Sequence, residues 1–137
     1  MSAHTSAAPA RARVVTVVLW TAQIALAAFF IAASGAPKLL GAAQAVDSFA
    51  QIGVGQWFRY LVGTLEVAGG IGLLVPRLSG LAAYGLALLT VGAAITQAFV
   101  LSEPSLAVFP LVLAVIFAVI GWLRRDRTAE LLRWLRR

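Results

Sequence analysis

The chain has no cysteine and only one histidine and one methionine among its 137 residues, and no more than 12% of them are charged. Without cysteine there is no disulfide, no thiolate nucleophile and no ligand set for an iron–sulfur cluster. His4 and Met1 both precede the first long apolar run. That placement removes the ordinary axial ligands of an intramembrane haem and the usual zinc sets, so no metal site is expected. A phosphate-binding glycine loop with its lysine, a Ser-His-Asp set and a pair of carboxylates on one helix face are also missing. Gly69-Gly70-Ile71-Gly72 resembles such a loop only in isolation, since it lies within a hydrophobic run and reads as packing glycine. The chain is therefore not expected to be a catalyst on its own, and any cofactor would be organic or borrowed.

What the chain has in abundance is apolar surface. Hydrophobic residues make up 61% of it and the mean hydropathy is +0.93, more than a water-soluble core of this size can absorb. The charges fall at the ends of apolar segments, as they should in a chain divided between lipid and water. Eleven cations against five acids could point to nucleic acid. Six of them, Arg124, Arg125, Arg127, Arg133, Arg136 and Arg137, follow directly on a hydrophobic segment, so topology and anionic headgroups account for them. No nucleic-acid partner is expected.

These features predict an all-α transmembrane four-helix bundle over residues 14–123, with helices at about 14–34, 57–75, 78–101 and 106–123. Residues 1–13 read as a disordered cytoplasmic tail, too poor in large apolar groups to offset the entropy of ordering. Arg before an apolar run with small residues after it also suits a secretory signal, but this run exceeds the usual h-region of about 7 to 15 residues. Ser34-Gly35-Ala36-Pro37-Lys38 is expected to end the first helix and turn the chain. In the loop that follows, Val46, Phe49, Ala50 and Ile52 suit a short interfacial helix, and Trp57, Phe58 and Tyr60 an aromatic belt. Pro76-Arg77 makes a tight turn, and Pro110 is expected as a first-turn residue or a kink.

Residues 124–137, with Leu131, Leu132, Trp134 and Leu135 among arginines, form a basic amphipathic cytoplasmic tail. It suits a helix on the membrane surface, an extension of the fourth helix, or a docking site for a soluble partner. With the amino terminus inside, nine cations face the cytoplasm and only Lys38 and Arg59 the other side. The expected location is the plasma membrane, multi-pass, with both termini cytoplasmic.

One ionisable side chain falls well inside a span: Glu66, six residues past Tyr60 and so roughly 9 Å deep at helical rise. An acid at that depth costs several kcal/mol unless protonated, paired or wetted, which makes it a functional candidate and a site for proton exchange. Gly63, Gly69 and Gly70 lie three or four residues away, leaving a face that another helix or a flat ligand can approach. The plainer alternative is small-residue packing, with Glu66 in a fixed ion pair with Lys38 or Arg59. Thr16, Trp20, Gln23, Ala27, Phe30 and Ser34 share one face of the first helix. Thr90 and Gln97 share one in the third, with Gly85, Gly92 and Thr96 as an adjoining stripe. Both stripes are expected to turn inward, because amides and hydroxyls facing lipid are penalised. The candidates for ligand or proton binding are thus Glu66, Lys38, Gln23, Gln97, Thr96 and Trp20. The fourth helix, almost without polar groups, is expected to present the most surface to lipid.

Three segments in order carry a family resemblance: Ser34-Gly35-Ala36-Pro37-Lys38-Leu39, Phe49-Ala50-Gln51-Ile52-Gly53-Val54, and Gly63-Thr64-Leu65-Glu66-Val67-Ala68-Gly69-Gly70-Ile71-Gly72-Leu73-Leu74. Over about Val14 to Leu123 the chain resembles the DoxX-like family of small four-helix membrane proteins. The resemblance implies links to quinone-dependent sulfur oxidation or to membrane redox and detoxification complexes, with Lys38 as the motif lysine and Glu66 as the motif acid. Relatives tied to disulfide chemistry use cysteines that this chain does not have. The expected function is an accessory subunit of a redox or stress-related assembly, with a small hydrophobic, quinone-holding pocket near Glu66. Its partners would be the bilayer, membrane or cytoplasmic redox proteins, and further copies of itself. A small oligomeric transporter or channel, and a purely structural assembly protein, are the alternatives.

Overall fold

The computed structural model describes residues 7–137, and among the described residues there are helices and connecting turns but no strand. Helix α1 (Ala7–Ala28) passes without a break into a π-helical stretch, Phe29–Gly35, and then into α2 (Ala36–Leu40). A short α3 (Ala43–Ile52) leads to α4 (Gln56–Leu74), which folds back through a tight turn onto α5 (Ser79–Ile95). The latter ends in a second π-helical stretch, Thr96–Val100. A 3-10 turn, Pro104–Ala107, opens α6 (Val108–Leu123), and α7 (Arg125–Leu135) closes the chain.

Among the described residues, three helical runs are long and apolar enough to cross a membrane: Ala10–Leu40, Ser79–Val100 and Pro104–Leu123. Helix α4 is formed where the sequence places it, but it is not among them. Gln56, Arg59, Glu66 and its four glycines dilute its apolar content. It packs between α1 with its π stretch on one side and α5 on the other, and α5 in turn packs along α6. Phe30 meets Phe117 edge to face at 5.3 Å and joins the first rod to α6. The core thus runs through Ala27, Phe30, Leu73, Leu86 and Phe117.

Several expectations need correction. Of the expected disordered tail, residues 1–6 lie outside the described residues, and Ala7 to Arg13 are helical. Alanine is the best helix former, and Pro9 sits in the first turn, where its missing N–H is not needed. The first helix does not end at Gly35-Ala36-Pro37. The Ala36 N–H bonds to the Ile31 carbonyl five residues back, so the ladder widens just ahead of Pro37. That widening shifts the carbonyls away from the proline ring, and the chain turns only at Gly41, where φ is +77°. Nor does the last span present the most surface to lipid. Its most apolar window is 39% buried against 22% for the first span, because Ala114, Phe117 and Gly121 pack inward. Gly85 is exposed with open space around it, not turned inward.

Of the two forms open to the C-terminal segment, an extension of the fourth helix is ruled out. The helix breaks at Arg124, φ −99° and ψ 14°, and α7 folds against the first turn of α5 with Leu131 buried.

Candidate functional site

Glu66 lies on α4 where that helix crosses α2. Gly63, one turn earlier, makes the crossing close: a Cβ there would stand 3.0 Å from Lys38 Cβ and 3.2 Å from the Gly35 carbonyl. The absent side chain brings Lys38 directly over the acid. Its Nζ donates to Glu66 Oε2 at 2.9 Å and to Oε1 at 3.2 Å. It also donates to the Ser34 hydroxyl at 3.0 Å and to the Ser34 carbonyl at 3.2 Å. The Ser34 hydroxyl donates in turn to Glu66 Oε1 at 3.1 Å, which closes a three-residue ring. An ammonium has three protons to give, and this arrangement directs all of them inward.

The pair is mostly shielded, with side-chain exposures of 19% for Lys38 and 9% for Glu66. Arg59 lies beside it but does not join it. Its guanidinium donates through Nη1 to the Lys38 carbonyl and through Nε to Gln56 Oε1 at 2.7 Å, while lying over the Tyr60 ring at 4.3 Å. Arg59 thus caps the last turn of α2, where free carbonyls favour a cation. Of the two cations considered as partners of Glu66, the structure assigns Lys38.

A cavity of about 510 Å³ opens against the ion pair. Ser34, Lys38 and Glu66 form one wall, and Thr90, Thr96 and Gln97 stand on the wall from α5 and its π extension. Phe49 of α3 and Phe58 of α4 supply aromatic surface, and leucines and alanines supply most of the remainder. Both π-helical stretches line this one space, the first through Ala33 and Ser34, the second through Thr96 and Gln97. Such stretches recur at functional sites because the widened turn re-aims side chains that a regular helix would hold elsewhere.

Gln23 and Trp20 are not in this cavity. They sit about three to four turns before Ser34 on α1, roughly 16 to 21 Å away along the helix. Gln23 is fully buried: its Nε2 donates to the Leu73 carbonyl at 2.7 Å and its Oε1 accepts from Arg124 Nε at 2.9 Å. The Arg124 guanidinium lies 5.4 Å from the Trp20 ring centroid. Burial holds this arginine below its ordinary pKa, and the like charge of Arg127 adds to that. The guanidinium still keeps its proton, so its lost hydration has to be met by Gln23 and the ring face. Gln23→Leu should lower stability by roughly 2 to 4 kcal/mol, since it strands a buried carbonyl and a buried charge together. The midpoint of unfolding in detergent or nanodiscs would register this, and a shift no larger than that of an exposed α1 substitution would contradict it.

The three close-packing glycines are occupied by helices. A Cβ at Gly69 would come within 2.6 Å of Leu86, and one at Gly70 within 2.7 Å of Ile31. Among Glu66, Lys38, Gln97, Thr96, Gln23 and Trp20, the structure brings the first four to one cavity and leaves the last two at a separate junction. Sequence reasoning placed Ser34 on the polar face of the first helix without assigning it to Glu66. Its position four residues before Lys38 was the available signal. Arg59 as a helix cap, and Arg124 bonded across 101 residues to Gln23, had no local signal at all.

Apolar helices of spanning length, with a shielded Glu66–Lys38 pair where α4 crosses the first of them, define a helical membrane protein with a polar-headed cavity. The chain belongs to the DoxX-like family, whose model matches residues 21–120 and so takes in both the cavity and the ion pair. No curated protein and no solved structure matches it.

Proposed function

We propose that this protein crosses the plasma membrane four times, α4 included, with both termini in the cytoplasm and α3 resting in the outer interface. In that setting the cavity beside Glu66 takes a quinone-like ligand for a membrane redox or stress-related assembly to which the chain is an accessory subunit. Several features support the topology. Arg77 shares one end of the molecule with α7, while Lys38 and Arg59 sit toward the other. Helix α4 is shielded on two sides by neighbours, so its polar groups need not face lipid.

The observation that carries the ligand is the pairing of an apolar, aromatic-walled cavity with a hydrogen-bonded ammonium and carboxylate at its head. A quinone presents a flat apolar ring and two carbonyl oxygens. Lys38 Nζ can redirect to a quinone carbonyl the proton it gives Ser34, and Glu66 can accept from the hydroxyl of the reduced form. These residues bind, orient and move a proton, and the electrons come from a partner. Redox proteins of the membrane or cytoplasm, and further copies of this chain, are the partners this reading calls for.

The test is gentle purification in native lipids followed by extraction and mass spectrometry of retained quinones. Wild-type protein should retain quinone. Ala93→Trp, which fills the cavity from its α5 wall, should lose it, and Lys38→Met should weaken a short-chain quinone about ten-fold or more, the worth of one charge-assisted hydrogen bond. If wild type holds no quinone and binds none on titration, the ligand assignment is wrong. Proton or small-acid flux in proteoliposomes that depends on Glu66 would replace it with a transport path.

A further inference from the structure

At the end of the molecule away from the ion pair there is an open cleft of about 430 Å³, lined by Arg77, Glu130, Arg133, Trp134 and Arg137. It joins parts of the chain far apart in sequence. Arg77 stands in the turn between α4 and α5, with its guanidinium 5.8 Å from the Trp134 ring centroid. Arg133 and Arg137 come from α7 and just beyond its end, four residues apart and therefore on one side of the helix. The cleft keeps its shape because α7 is fastened to α5. Leu131 is buried, and Gly80 lets the Arg124 carbonyl so close that a Cβ there would meet it at 2.8 Å.

The charge of the cleft is one-sided. Three guanidinium groups face one acid, Glu130, which is itself shared with Arg127 at 3.9 Å. Residues 124–137 as a whole carry six arginines and two acids. Trp134, which lines the cleft, is more than half exposed, and so are Leu132 and Leu135 on the other flank of α7. A cationic pocket walled by an exposed tryptophan, at the level of the turn between α4 and α5, matches the boundary between acyl chains and headgroups. A soluble acidic partner would account for the arginines but not for their place beside Trp134 at the end of the membrane-crossing helices.

We propose that this cleft is a binding site for the phosphate of an acidic glycerophospholipid. The phosphodiester lies between Arg77 on one side and Arg133 with Arg137 on the other, where guanidinium forks can meet two phosphate oxygens each. Trp134 sits at the glycerol level. Occupancy ties α7 to the α4–α5 turn, so the lipid composition of the membrane sets how firmly the C-terminal helix is held.

The full chain in nanodiscs of phosphatidylcholine with a minor share of phosphatidylglycerol provides the test, read by native mass spectrometry of retained lipid. Wild type should keep phosphatidylglycerol in clear preference to phosphatidylcholine. Arg77→Gln with Arg133→Gln should lower that preference about five-fold per arginine, roughly thirty-fold together. Arg11→Gln with Arg13→Gln, which removes equal charge elsewhere, should leave it unchanged, and Arg77→Lys with Arg133→Lys should keep most of it even if the glutamine pair proves unstable. Equal loss in both glutamine pairs would reduce the effect to diffuse surface charge and overturn the site. Release of the lipid by millimolar inorganic phosphate would assign the cleft to a soluble phosphate, and retention of a soluble acidic protein in place of lipid would assign it to a protein partner. Either result overturns the proposal.

Discussion

Replacing Lys38 by methionine should lower the stability of the protein by about 3 to 5 kcal/mol, the usual loss when one partner of a buried ion pair is removed. The geometry explains why the effect is large. Glu66 has a side chain only 9% exposed and receives protons from Lys38 on both oxygens, with Ser34 supplying one more. In Lys38→Met the serine remains, and one hydroxyl cannot replace an ammonium opposite a carboxylate away from water. Glu66→Gln should cost less, because the amide oxygen still accepts and Lys38, at 19% exposure, can reach out toward solvent.

The double variant Lys38→Met, Glu66→Met should lie within about 1 kcal/mol of wild type, since two well-packed apolar side chains can substitute for a buried pair. Denaturant unfolding of wild type, Lys38→Met, Glu66→Met and the double variant in bicelles yields the coupling directly. A double variant no more stable than Lys38→Met alone would mean that the two residues do not act as a pair. The same protein separates binding from structure. If it folds and still retains quinone like wild type, the ion pair locks helices and the ligand rests on the aromatic walls alone.

Much of this arrangement was legible before any coordinates, for identifiable reasons. The apolar runs announce themselves by composition, and a lone acid at membrane depth is conspicuous because everything around it is apolar. Lys38 was legible as a candidate partner because Glu66 needed a cation and few were near. What the sequence hides is which helix faces which. In lipid, leucine is as content against the bilayer as against a neighbour, so polarity does not rank helices by burial. That is why the almost purely apolar α6 is more deeply packed than expected while Gly85 of α5 faces outward. Pro37 misled for a different reason. A proline reads as a stop when a regular helix is assumed, and the π turn before it removes the clash on which that rule rests. Gln23 was rightly marked as a polar group needing a partner, but its partner lies 101 residues further along, beyond the reach of any local pattern.

The glycines offer the second large effect. Gly35 has ordinary helical dihedrals, φ −73° and ψ −49°, so alanine there meets no backbone strain. The obstacle is space. A Cβ at this position would stand 2.7 Å from the Phe30 carbonyl oxygen, 2.7 Å from Val67 Cγ2 and 3.1 Å from the Gly63 carbonyl oxygen. A valine methyl can rotate away, but the Gly63 carbonyl is fixed in α4 and the Phe30 carbonyl in the π turn that carries Gly35 itself, so that turn must distort as well. The helices must part, and overpacking of this kind costs about 1 to 3 kcal/mol. Because Gly63 and Lys38 sit in the same contact, that separation lengthens the reach from Lys38 to Glu66 and should empty the cavity of ligand as well. Gly85→Ala is the matched control. It has nothing within 4 Å of its Cβ, and the better helix propensity of alanine should leave it neutral or more stable by up to about 1 kcal/mol. Measured side by side, Gly35→Ala should therefore lose both melting temperature and quinone retention, while Gly85→Ala keeps its retention and melts at or above the wild-type temperature. If Gly35→Ala behaves like Gly85→Ala, the close approach of α4 to the π turn does not hold the ion pair in place.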